Sequence, residues 1–322
     1  MSMKLITVLI VAHNRKEFVL EAVRSVLSQD YDRRGFEVIV VKNFKDDKID
    51  LFLQENGVIT ILSDAKNLSN KQAVGIENAH GDIICFLDDD DLFESQKLKV
   101  ISEYFRNYDN LSFFHNGILF IDLEGKIQDK SPEKGKIIFD PIECTTSGIK
   151  KLVNLLSTYN CSSISVSGDI ARKYSSILDK TTQDSDTFWF LSALDYGKPM
   201  ISSSEYLTRY RRHTSGISRS YDFKKVSSYA NSAYRNMIIM HSIFNSRCSK
   251  AFLKFKTVEW EIKMGIFDDD FKGFGKHYGL FLRIIVNMPL VPIREIVKLS
   301  SIIYASFYSK KFAKLLYSIF YV

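Results

Sequence analysis

Buried-strand and amphipathic-helix patterns alternate along roughly the first hundred residues of the chain. Continuous apolar runs rich in β-branched residues are typical of strands covered on both faces. Apolar residues three and four positions apart are typical of helices with one buried face. These patterns predict strands at Leu5–Ala12, Phe36–Val41, Val58–Leu62 and Ile83–Leu87, and helices at Phe18–Leu27, Asp47–Gln54, Ser69–Ala79 and Glu94–Tyr108. Such alternation predicts an α/β fold with a mainly parallel sheet and helices on both faces.

The pattern changes after residue 110. Leu111–Phe114 and Ile118–Asp122 predict a hairpin, because the Asn-Gly pair between them is a typical turn sequence. The polar stretch from Gly125 to Pro141 predicts a loop. The next predicted elements are a helix at Lys151–Tyr159, a strand at Ser163–Val166, a helical turn at Ile170–Tyr174, and strands near Met200–Ser203 and Tyr206–Arg211. From about Phe223 onward the pattern predicts helices to the end of the chain.

Four consecutive aspartates, Asp88–Asp91, follow the fourth predicted strand. In parallel sheets ligands bind at the carboxyl ends of the strands, where Ala12, His13 and Asn14 also lie. Buried carboxylates without a positive partner are costly, so a cation is expected beside them. Mg²⁺ and Mn²⁺ prefer oxygen ligands, which makes Asp88 and Asp90 candidate metal ligands. The alternative is a solvated turn in which one aspartate caps the next helix.

Four segments of the chain resemble, in order, the family 2 glycosyltransferases. They are TVLIVAHNRKEFVLEAVRSVLSQ, FEVIVV, KQAVGIENAHGDIICFLDDDD and YRRHTSGIS. The resemblance implies the GT-A fold, which is Rossmann-like, in a catalytic domain at residues 1–222, with a helical C-terminal region at 223–322. It also implies an inverting transfer of a sugar from a nucleotide-sugar donor, with Mn²⁺ or Mg²⁺ as cofactor.

The resemblance further implies roles for individual residues. Asp88 and Asp90 match the family's DxD pair, with Asp88 nearer the donor and Asp90 on the metal. The implied donor-binding residues are Ala12, Asn14, Arg15, Asn43, Lys71, Asp88, Asp89, Arg211, Arg212 and His213. His213 is also a candidate metal ligand, although a phosphate contact by an arginine is favoured over metal ligation by this histidine.

The general base is expected in the segment TQDSDTFWF. An inverting transfer needs one base to take the proton of the acceptor hydroxyl. The family's base is the aspartate of a Glu-Asp-like pair that opens a helix, and Asp184 matches it, with Asp186 as the alternate. Thr182 is predicted to cap this helix, and Gly197 and Pro199 to end it. The residues alone also allow these acids to be only favourable charges at a helix N-terminus.

Two departures from the family pattern concern the donor. Lys42 and Asn43 stand where relatives carry the aspartate that recognises uracil, and an ammonium group cannot accept a hydrogen bond from the base. Either Asn43 makes that contact, or Asp46 or Asp47 does, or the base is not uracil. Lys71 stands near a frequent arginine and can meet the diphosphate as a point charge. A UDP-sugar is the first prediction and a GDP-sugar the second.

Charge and composition add predictions about the setting. The net charge of +6 is mild, and the chain carries no nucleic-acid-binding module. The four cysteines, which form no CxxC pair, are predicted to be reduced thiols in a cytosolic protein. Between residues 283 and 314, basic side chains alternate with apolar ones at helical spacing and predict a helix on an anionic membrane surface. The alternatives are a helix packed on the domain or a dimer contact.

The setting that follows is cytoplasmic, peripheral on the inner face of the cell membrane, with a glycan or polyprenyl-linked acceptor. Two other functions remain open at this point. One is a non-catalytic sugar- or membrane-binding relative, which the unusual VVKN segment keeps open although Asp88, Asp90 and Asp184 speak against it. The other is an aspartate-dependent phosphatase, whose motif usually continues with Thr or Val where this chain has Asp91 and Leu92.

Overall fold

The computed structural model of the protein describes residues 4–212 and 223–267, together with residues 297, 298, 300–302, 315 and 316. The chain divides into two compact units. The first contains Met1–Glu143 and Leu155–Arg212, and the second contains Cys144–Asn154 and His213–Val322. The sequence pattern gave no sign that the segment Cys144–Asn154 is grouped with the C-terminal helices.

The first elements of the chain form where the hydrophobic pattern predicts them, within a few residues. They are β1 (Ile6–Ala12), α1 (Val19–Leu27), β2 (Phe36–Lys42), α2 (Asp47–Glu55), β3 (Ile59–Leu62), α3 (Leu68–Glu77), β4 (Ile83–Asp88) and α4 (Lys97–Asn107). A short strand that the pattern did not predict, β5 (Leu92–Phe93), lies between β4 and α4. Strands β3, β2, β1 and β4 pair in parallel in that order. Ala12 pairs with Lys42, and Val11 pairs with Asp88, so these strands end at one common edge.

The core forms between this parallel sheet and its helices. Strand β1 is buried along its whole length, and α1 turns Val19, Val23 and Val26 inward. Each such buried aliphatic side chain contributes about 1.5–3 kcal/mol relative to an exposed one. The carboxyl edge of the sheet is therefore a rigid platform for the residues that follow β1, β2 and β4.

The sheet continues with mixed strand directions. The remaining elements up to residue 212 are β6 (Phe113–Ile121), β7 (Ile127–Lys130), β8 (Lys136–Phe139), α5 (Thr146–Asn154, in the second unit), β9 (Ile164–Ser167), α6 (Gly168–Leu178), α7 (Ser185–Tyr196) and β10 (Met200–Arg211). In the described residues the sheet runs β3-β2-β1-β4-β9-β6-β10-β5, with β7 beside β6 and β8 beside β10. Strand β9 is antiparallel to both β4 and β6, so it joins the parallel half to the second half.

The predicted hairpin at Asn116–Gly117 is wrong, because both residues lie inside the continuous strand β6. Strand β10 changes register opposite this point, between Ser202 and Thr208. A Cβ atom at Gly117 would lie 2.5 Å from the backbone oxygen of Ser204. The glycine therefore allows a close approach of two strands, and it does not form a turn.

Gly117→Ala is expected to lower the free energy of unfolding by about 1–3 kcal/mol, because the added methyl group meets backbone atoms that cannot rotate away. Gly125→Ala is the control, since φ there is +81° but no heavy atom lies within 4 Å of an added Cβ. Urea unfolding of both variants separates steric overlap from backbone strain. A loss at Gly117 no larger than the loss at Gly125 would contradict the close-approach explanation.

The segment predicted as a loop, Gly125–Pro141, contains the two short strands β7 and β8. All four residues of β7 are exposed, and only Phe139 of β8 is buried. A strand is recognised in a sequence by alternating apolar and polar residues, which reflect one buried face. Because these two strands bury almost no side chains, their sequences do not show that alternation. Strand β10 is likewise one continuous strand, although two were predicted.

The second unit contains α5, α8 (Phe223–Ile243) and α9 (Arg247–Phe267). A disulfide joins Cys144, just before α5, to Cys248 at the start of α9. The prediction of four reduced thiols is wrong for this pair, while Cys85 and Cys161 are free and buried. The two paired cysteines are 104 residues apart, and such a separation gives no spacing pattern to recognise.

Most of the basic amphipathic segment at residues 283–314 lies outside the described residues. The membrane-surface helix predicted there stays a prediction. Within the described part of the chain, no helix is both long enough and apolar enough to span a membrane.

Candidate active site

The positive partner of the aspartate cluster is Arg15. Its Nη1 lies 2.5 Å from Oδ2 of Asp90, and its Nη2 pairs with Oδ1 of Asp89. Both aspartates are buried, and Arg15 follows β1, which pairs directly with the strand that carries them. A residue expected to bind the donor thus neutralises part of the cluster.

Arg15 does not neutralise the whole cluster. Burial raises the pKa of Asp88 well above its ordinary value, and repulsion from Asp91, Asp90 and Asp89 raises it further. Burial also raises the pKa of Asp91 to about 7 and that of Asp89 to about 6. A divalent cation beside these carboxylates would favour their ionised forms and so lower these pKa values.

The carboxylate oxygens of Asp88 and Asp90 are of the kind that Mg²⁺ and Mn²⁺ prefer. Among the described residues, no group of three or more histidine, cysteine or acidic side chains is arranged to hold a metal ion. Asp88 and Asp90 would supply one or two carboxylate ligands, and water and phosphate oxygens would supply the rest, as is usual for Mg²⁺.

Asp91 differs from the other aspartates because its carboxylate is fully used by the protein. Its Oδ2 accepts hydrogen bonds from the Ser162 hydroxyl at 2.6 Å and from Nδ2 of Asn160 at 2.9 Å. Its Oδ1 accepts one from the backbone N–H of Arg211 at 2.9 Å. Asp91 consequently anchors the cluster to the segments around residues 160 and 211.

Arg211 is also used by the protein. Its guanidinium is buried and donates to the backbone oxygens of Asp90 at 2.9 Å and of Leu123 at 2.6 Å. Its Nη2 forms an ion pair with Glu21 at 2.9 Å. This geometry supports a role in fixing the turn at Asp90 and gives no support to the expected phosphate contact.

Arg212 contacts residues outside the aspartate cluster. Its guanidinium carbon lies 3.6 Å from the ring centre of Phe120, and its Nη1 lies 3.7 Å from Asp129. His213, expected at the donor or the metal, lies outside the described residues. Its assignment stays a prediction.

Asn14 and Asn43 form a reciprocal pair beside the carboxyl edge. The backbone N–H of Asn14 donates to Oδ1 of Asn43 at 2.9 Å, and Nδ2 of Asn43 donates to Oδ1 of Asn14 at 2.7 Å. Asn14 has φ of 60°, a left-handed conformation that asparagine tolerates better than most residues. The pair joins the segments that follow β1 and β2.

The alternatives to Asn43 are used elsewhere. Lys42 is buried and forms an ion pair with Asp50 of α2 at 2.7 Å. Asp46 caps α2 by accepting the N–H of Ile49, and it also pairs with Lys16 at 3.1 Å. Of these side chains, Asn43 is the one that contacts the end of β1.

Lys71 lies beside the end of β1. Its ammonium contacts the backbone oxygen of Ala65 and lies 2.9 Å from Nδ1 of His13. Burial lowers the pKa of Lys71, while the nearby carboxylate of Asp64 opposes that shift. This placement agrees with the expected point charge at the carboxyl edge.

Helix α7 distinguishes the two candidate bases. The helix begins at Ser185 with Asp184 as its N-cap residue, so the predicted cap at Thr182 is wrong. Asp184 has φ of 62°, and its carbonyl accepts the N–H of Phe188 at 3.0 Å. Its placement as N-cap leaves Asp186 in the first turn of the helix.

Asp186 is connected to the aspartate cluster through one residue. Its Oδ2 accepts the backbone N–H of Asn160 at 3.1 Å, and the side chain of Asn160 donates to Asp91 at 2.9 Å. Burial raises the pKa of the Cys161 thiol, and the charges of Asp88 and Asp186 raise it further. The Cys161 sulfur itself lies 3.3 Å from the Ser185 hydroxyl at the start of α7.

Comparison with known proteins places part of the chain beside a known family. Residues 7–138, less than half of the chain, match the family described as Glycosyl transferase family 2. Over this stretch the chain is similar to family 2 glycosyltransferases. An uncharacterized glycosyltransferase of Rickettsia bellii is 29% identical over 134 residues, which are 38% of this chain and 18% of that protein. One from Haemophilus influenzae is 29% identical over 132 residues, which are 39% of this chain and 51% of that protein.

Solved structures show a similar fold over nearly the whole chain. Residues 1–349 of Staphylococcus aureus TarS superpose with a TM-score of 0.58 at 12% identity, covering 97% of this chain and 90% of that one. The same fragment in complex with UDP-GlcNAc gives a TM-score of 0.56 at 13% identity. The predicted GT-A fold and the family resemblance are confirmed.

Sequence reasoning missed several residues of this site. Asn160 and Ser162 lie in a short polar run before β9, where no local pattern marks them. Tyr210 lies 5.6 Å from Tyr159, between ring centres, and burial and then the charges of Tyr159, Asp91 and Asp88 raise its pKa. An aromatic wall thus flanks the aspartates, and only the fold brings its members together.

Lys97 is a further residue that the helical pattern of α4 did not single out. Its buried ammonium donates to the Ser162 carbonyl at 2.5 Å and to the Thr208 hydroxyl at 2.8 Å, and lies 3.8 Å from the ring centre of Phe93. Burial lowers its pKa to about 7. Lys97 ties α4 to the same segment that holds Asp91.

Lys97 is expected to make the first unit more stable as the pH rises from 7 to about 10. In the unfolded chain a lysine has a pKa of about 10.4 and keeps its proton over this range, whereas folded Lys97 loses it. The rise is at most about 1.4 kcal/mol per pH unit. Lys97→Met should remove it, and Lys99→Met, at an exposed site of the same helix, should keep it. Urea unfolding at pH 7, 8 and 9 checks this; equal slopes in wild type and Lys97→Met would contradict it.

Proposed function

We propose that this chain is an inverting glycosyltransferase that moves a sugar from a nucleotide-sugar, with a UDP-sugar as first choice, to a hydroxyl of a glycan or lipid-linked acceptor. The observation that carries the proposal is the link from Asp91 through Asn160 to Asp186. It holds a carboxylate suited to general base catalysis beside the acidic edge expected to receive the donor. The likeness to TarS, solved with UDP and with UDP-GlcNAc, supports the donor class.

The reaction needs one base and one leaving group. The acceptor oxygen forms a bond to the anomeric carbon while the bond from that carbon to the diphosphate oxygen breaks. The electron pair leaves with the nucleoside diphosphate, and the hydroxyl proton passes to Asp186. Asp186 replaces Asp184 as our first candidate because its Oδ2 accepts the backbone N–H of Asn160, whose side chain donates to Asp91.

The donor contacts follow from the chemistry of the edge. The amide of Asn43, held by Asn14, offers both a donor and an acceptor for the imide edge of uracil. Arg15 and Lys71 supply positive charge for the diphosphate. Asp88 and Asp90 would hold Mn²⁺ or Mg²⁺, which supplies charge neutralisation on the leaving diphosphate when bound. A GDP-sugar is the alternative donor.

The proposed acceptor and setting rest on two other features. The aromatic wall of Tyr159 and Tyr210 offers an apolar surface beside the aspartates for an acceptor sugar ring. The basic segment at residues 283–314 supports an anionic membrane surface as partner, and so a peripheral position on the inner face of the cell membrane.

A thermal-shift panel of UDP-, GDP- and CMP-linked sugars, each with and without Mn²⁺, tests the proposal. One nucleotide class, UDP first, is expected to raise the Tm, and Mn²⁺ to enlarge that rise, because ligands that bind only the folded state stabilise it. Asp169→Asn, at a site exposed by 77%, serves as a charge control that should respond like wild type. No response to any nucleotide would contradict the proposal and favour the non-catalytic relative.

A further inference from the structure

We propose that Asn160 is a positioning residue that fixes the base carboxylate of Asp186 relative to the donor-binding aspartates; this inference rests on the proposed function. No sequence motif marks Asn160. The role is assigned from its contacts, its backbone conformation and its place between two separate elements.

Asn160 uses each of its polar groups within a few ångströms of the site. Its backbone N–H donates to Asp186 at 3.1 Å, and its Nδ2 donates to Asp91 at 2.9 Å. Its Oδ1 accepts the N–H of Ser163 at 3.1 Å, which caps the short 3₁₀ turn Cys161–Ser163. The residue is 6% exposed, so water does not replace these bonds.

The backbone of Asn160 adopts a conformation that side chains rarely take. Its φ is 66° and its ψ is 112°, in a region open mainly to glycine. Such conformations persist where surrounding contacts fix them, and they cluster at functional sites. Here the hydrogen bonds to Asp91 and Asp186 supply those contacts.

The bridge connects parts of the fold that are distant in sequence. Asp91 follows β4, whereas Asp186 belongs to α7, and β9 lies between them along the chain. The segment of Asn160 is itself fixed to β4, since the backbone N–H of Asp88 donates to the Ser162 hydroxyl at 3.0 Å. A displacement of about 1 Å of a reacting group can cost about 100-fold in rate, so this bridge sets the base at its working distance.

A merely structural explanation is that Asn160 only caps the 3₁₀ turn. Two substitutions separate the explanations. Asn160→Asp keeps the capping oxygen and a side chain that tolerates positive φ, but it places a second carboxyl against Asp91 instead of a donor. Asn160→Gly keeps the backbone conformation and removes both the cap and the donor.

The experiment measures the release of UDP from UDP-GlcNAc in the presence of Mn²⁺. The kcat and the KM for the donor are determined between about pH 5.5 and about pH 8.5. Asn160→Asp is expected to lower kcat about 10- to 100-fold near neutral pH, with KM for the donor changed less than about threefold. Its kcat should recover partly toward low pH, because a protonated carboxyl can again donate to Asp91. A capping role alone predicts normal kcat for this variant.

Combining Asn160→Gly with Asp186→Asn tests whether Asn160 acts through Asp186. If Asn160 acts through this base, adding Asn160→Gly to Asp186→Asn lowers the residual turnover by less than about twofold, since residues that act as a unit are not additive. Wild-type kcat in Asn160→Asp, or independent multiplied losses in the double variant, would overturn the positioning role alone. No nucleotide release by the wild-type protein from any sugar of the thermal-shift panel would overturn the proposed function, and this role with it.

Discussion

Asp186→Asn is expected to lower the kcat for UDP release by about 10²–10⁴-fold, because an amide cannot take the proton of the attacking hydroxyl. Donor binding should change less than about threefold, since Asp186 accepts from Asn160, whereas Arg15 pairs with Asp90. The amide keeps an oxygen that can accept the N–H of Asn160, so the fold of the segment is retained. Steady-state kinetics and donor titration, measured separately, give the two quantities.

Asp184→Asn is the matched control for this prediction. It removes the same charge from the residue two positions earlier, which caps α7 with its backbone and shows no side-chain capping bond. We expect its kcat to stay within about fivefold of wild type. If Asp184→Asn abolishes turnover and Asp186→Asn does not, the base assignment is wrong and the original family match at Asp184 is restored.

Asp90→Asn is expected to abolish the part of donor binding that depends on Mn²⁺, and with it turnover. The substitution removes one of the two carboxylates that would hold the cation but keeps an oxygen that can accept from Arg15. A donor at about 100 times its Kd stabilises the folded state by about 2.7 kcal/mol, so loss of the manganese response is readily measured as a smaller Tm shift.

Asp89→Asn controls for the loss of an ion pair to Arg15. Asp89 pairs with the same guanidinium through its other nitrogen, and is not expected to bind the metal. Its Mn²⁺-dependent Tm shift should therefore persist, although donor binding itself can weaken. A manganese response that persists in Asp90→Asn would show that Asp90 is not a metal ligand.

The sequence predicted the part of the fold that is repetitive and buried. Strands β1, β2 and β4 are nearly continuous apolar runs, so their places and their common carboxyl edge followed from the pattern alone. The same pattern located Asp88 and Asp90 at the end of β4, and Asn14 after β1. Local sequence carries these features because burial on both faces requires apolar side chains throughout.

The rest depended on contacts between residues far apart in the chain. Asn160 lies 69 residues from Asp91 and 26 from Asp186, and nothing next to it in sequence reports either contact. The Asn-Gly pair at Gly117 predicts a turn, because local sequence does not show that β10 passes close to this glycine. Likewise, local sequence does not show that Cys144 and Cys248 lie together in the fold.

The donor-base contact is an alternative that the sequence leaves open between Asn43, Asp46 and Asp47. Lys42 ends β2 and pairs with Asp50, Asp46 caps α2, and Asn43 contacts Asn14 after β1. We therefore propose Asn43 as the contact to the donor base, since an amide offers both a donor and an acceptor.

The central claim is that the acidic edge after β4 receives the diphosphate of a nucleotide-sugar together with a divalent cation. A crystal structure of the protein with UDP and Mn²⁺ tests it most directly. We expect manganese, located by its anomalous scattering, to be bound to Asp90 and a UDP phosphate oxygen, with the uracil at Asn43. UDP bound at another surface, or UDP at this edge with no ion beside Asp90, would contradict the claim.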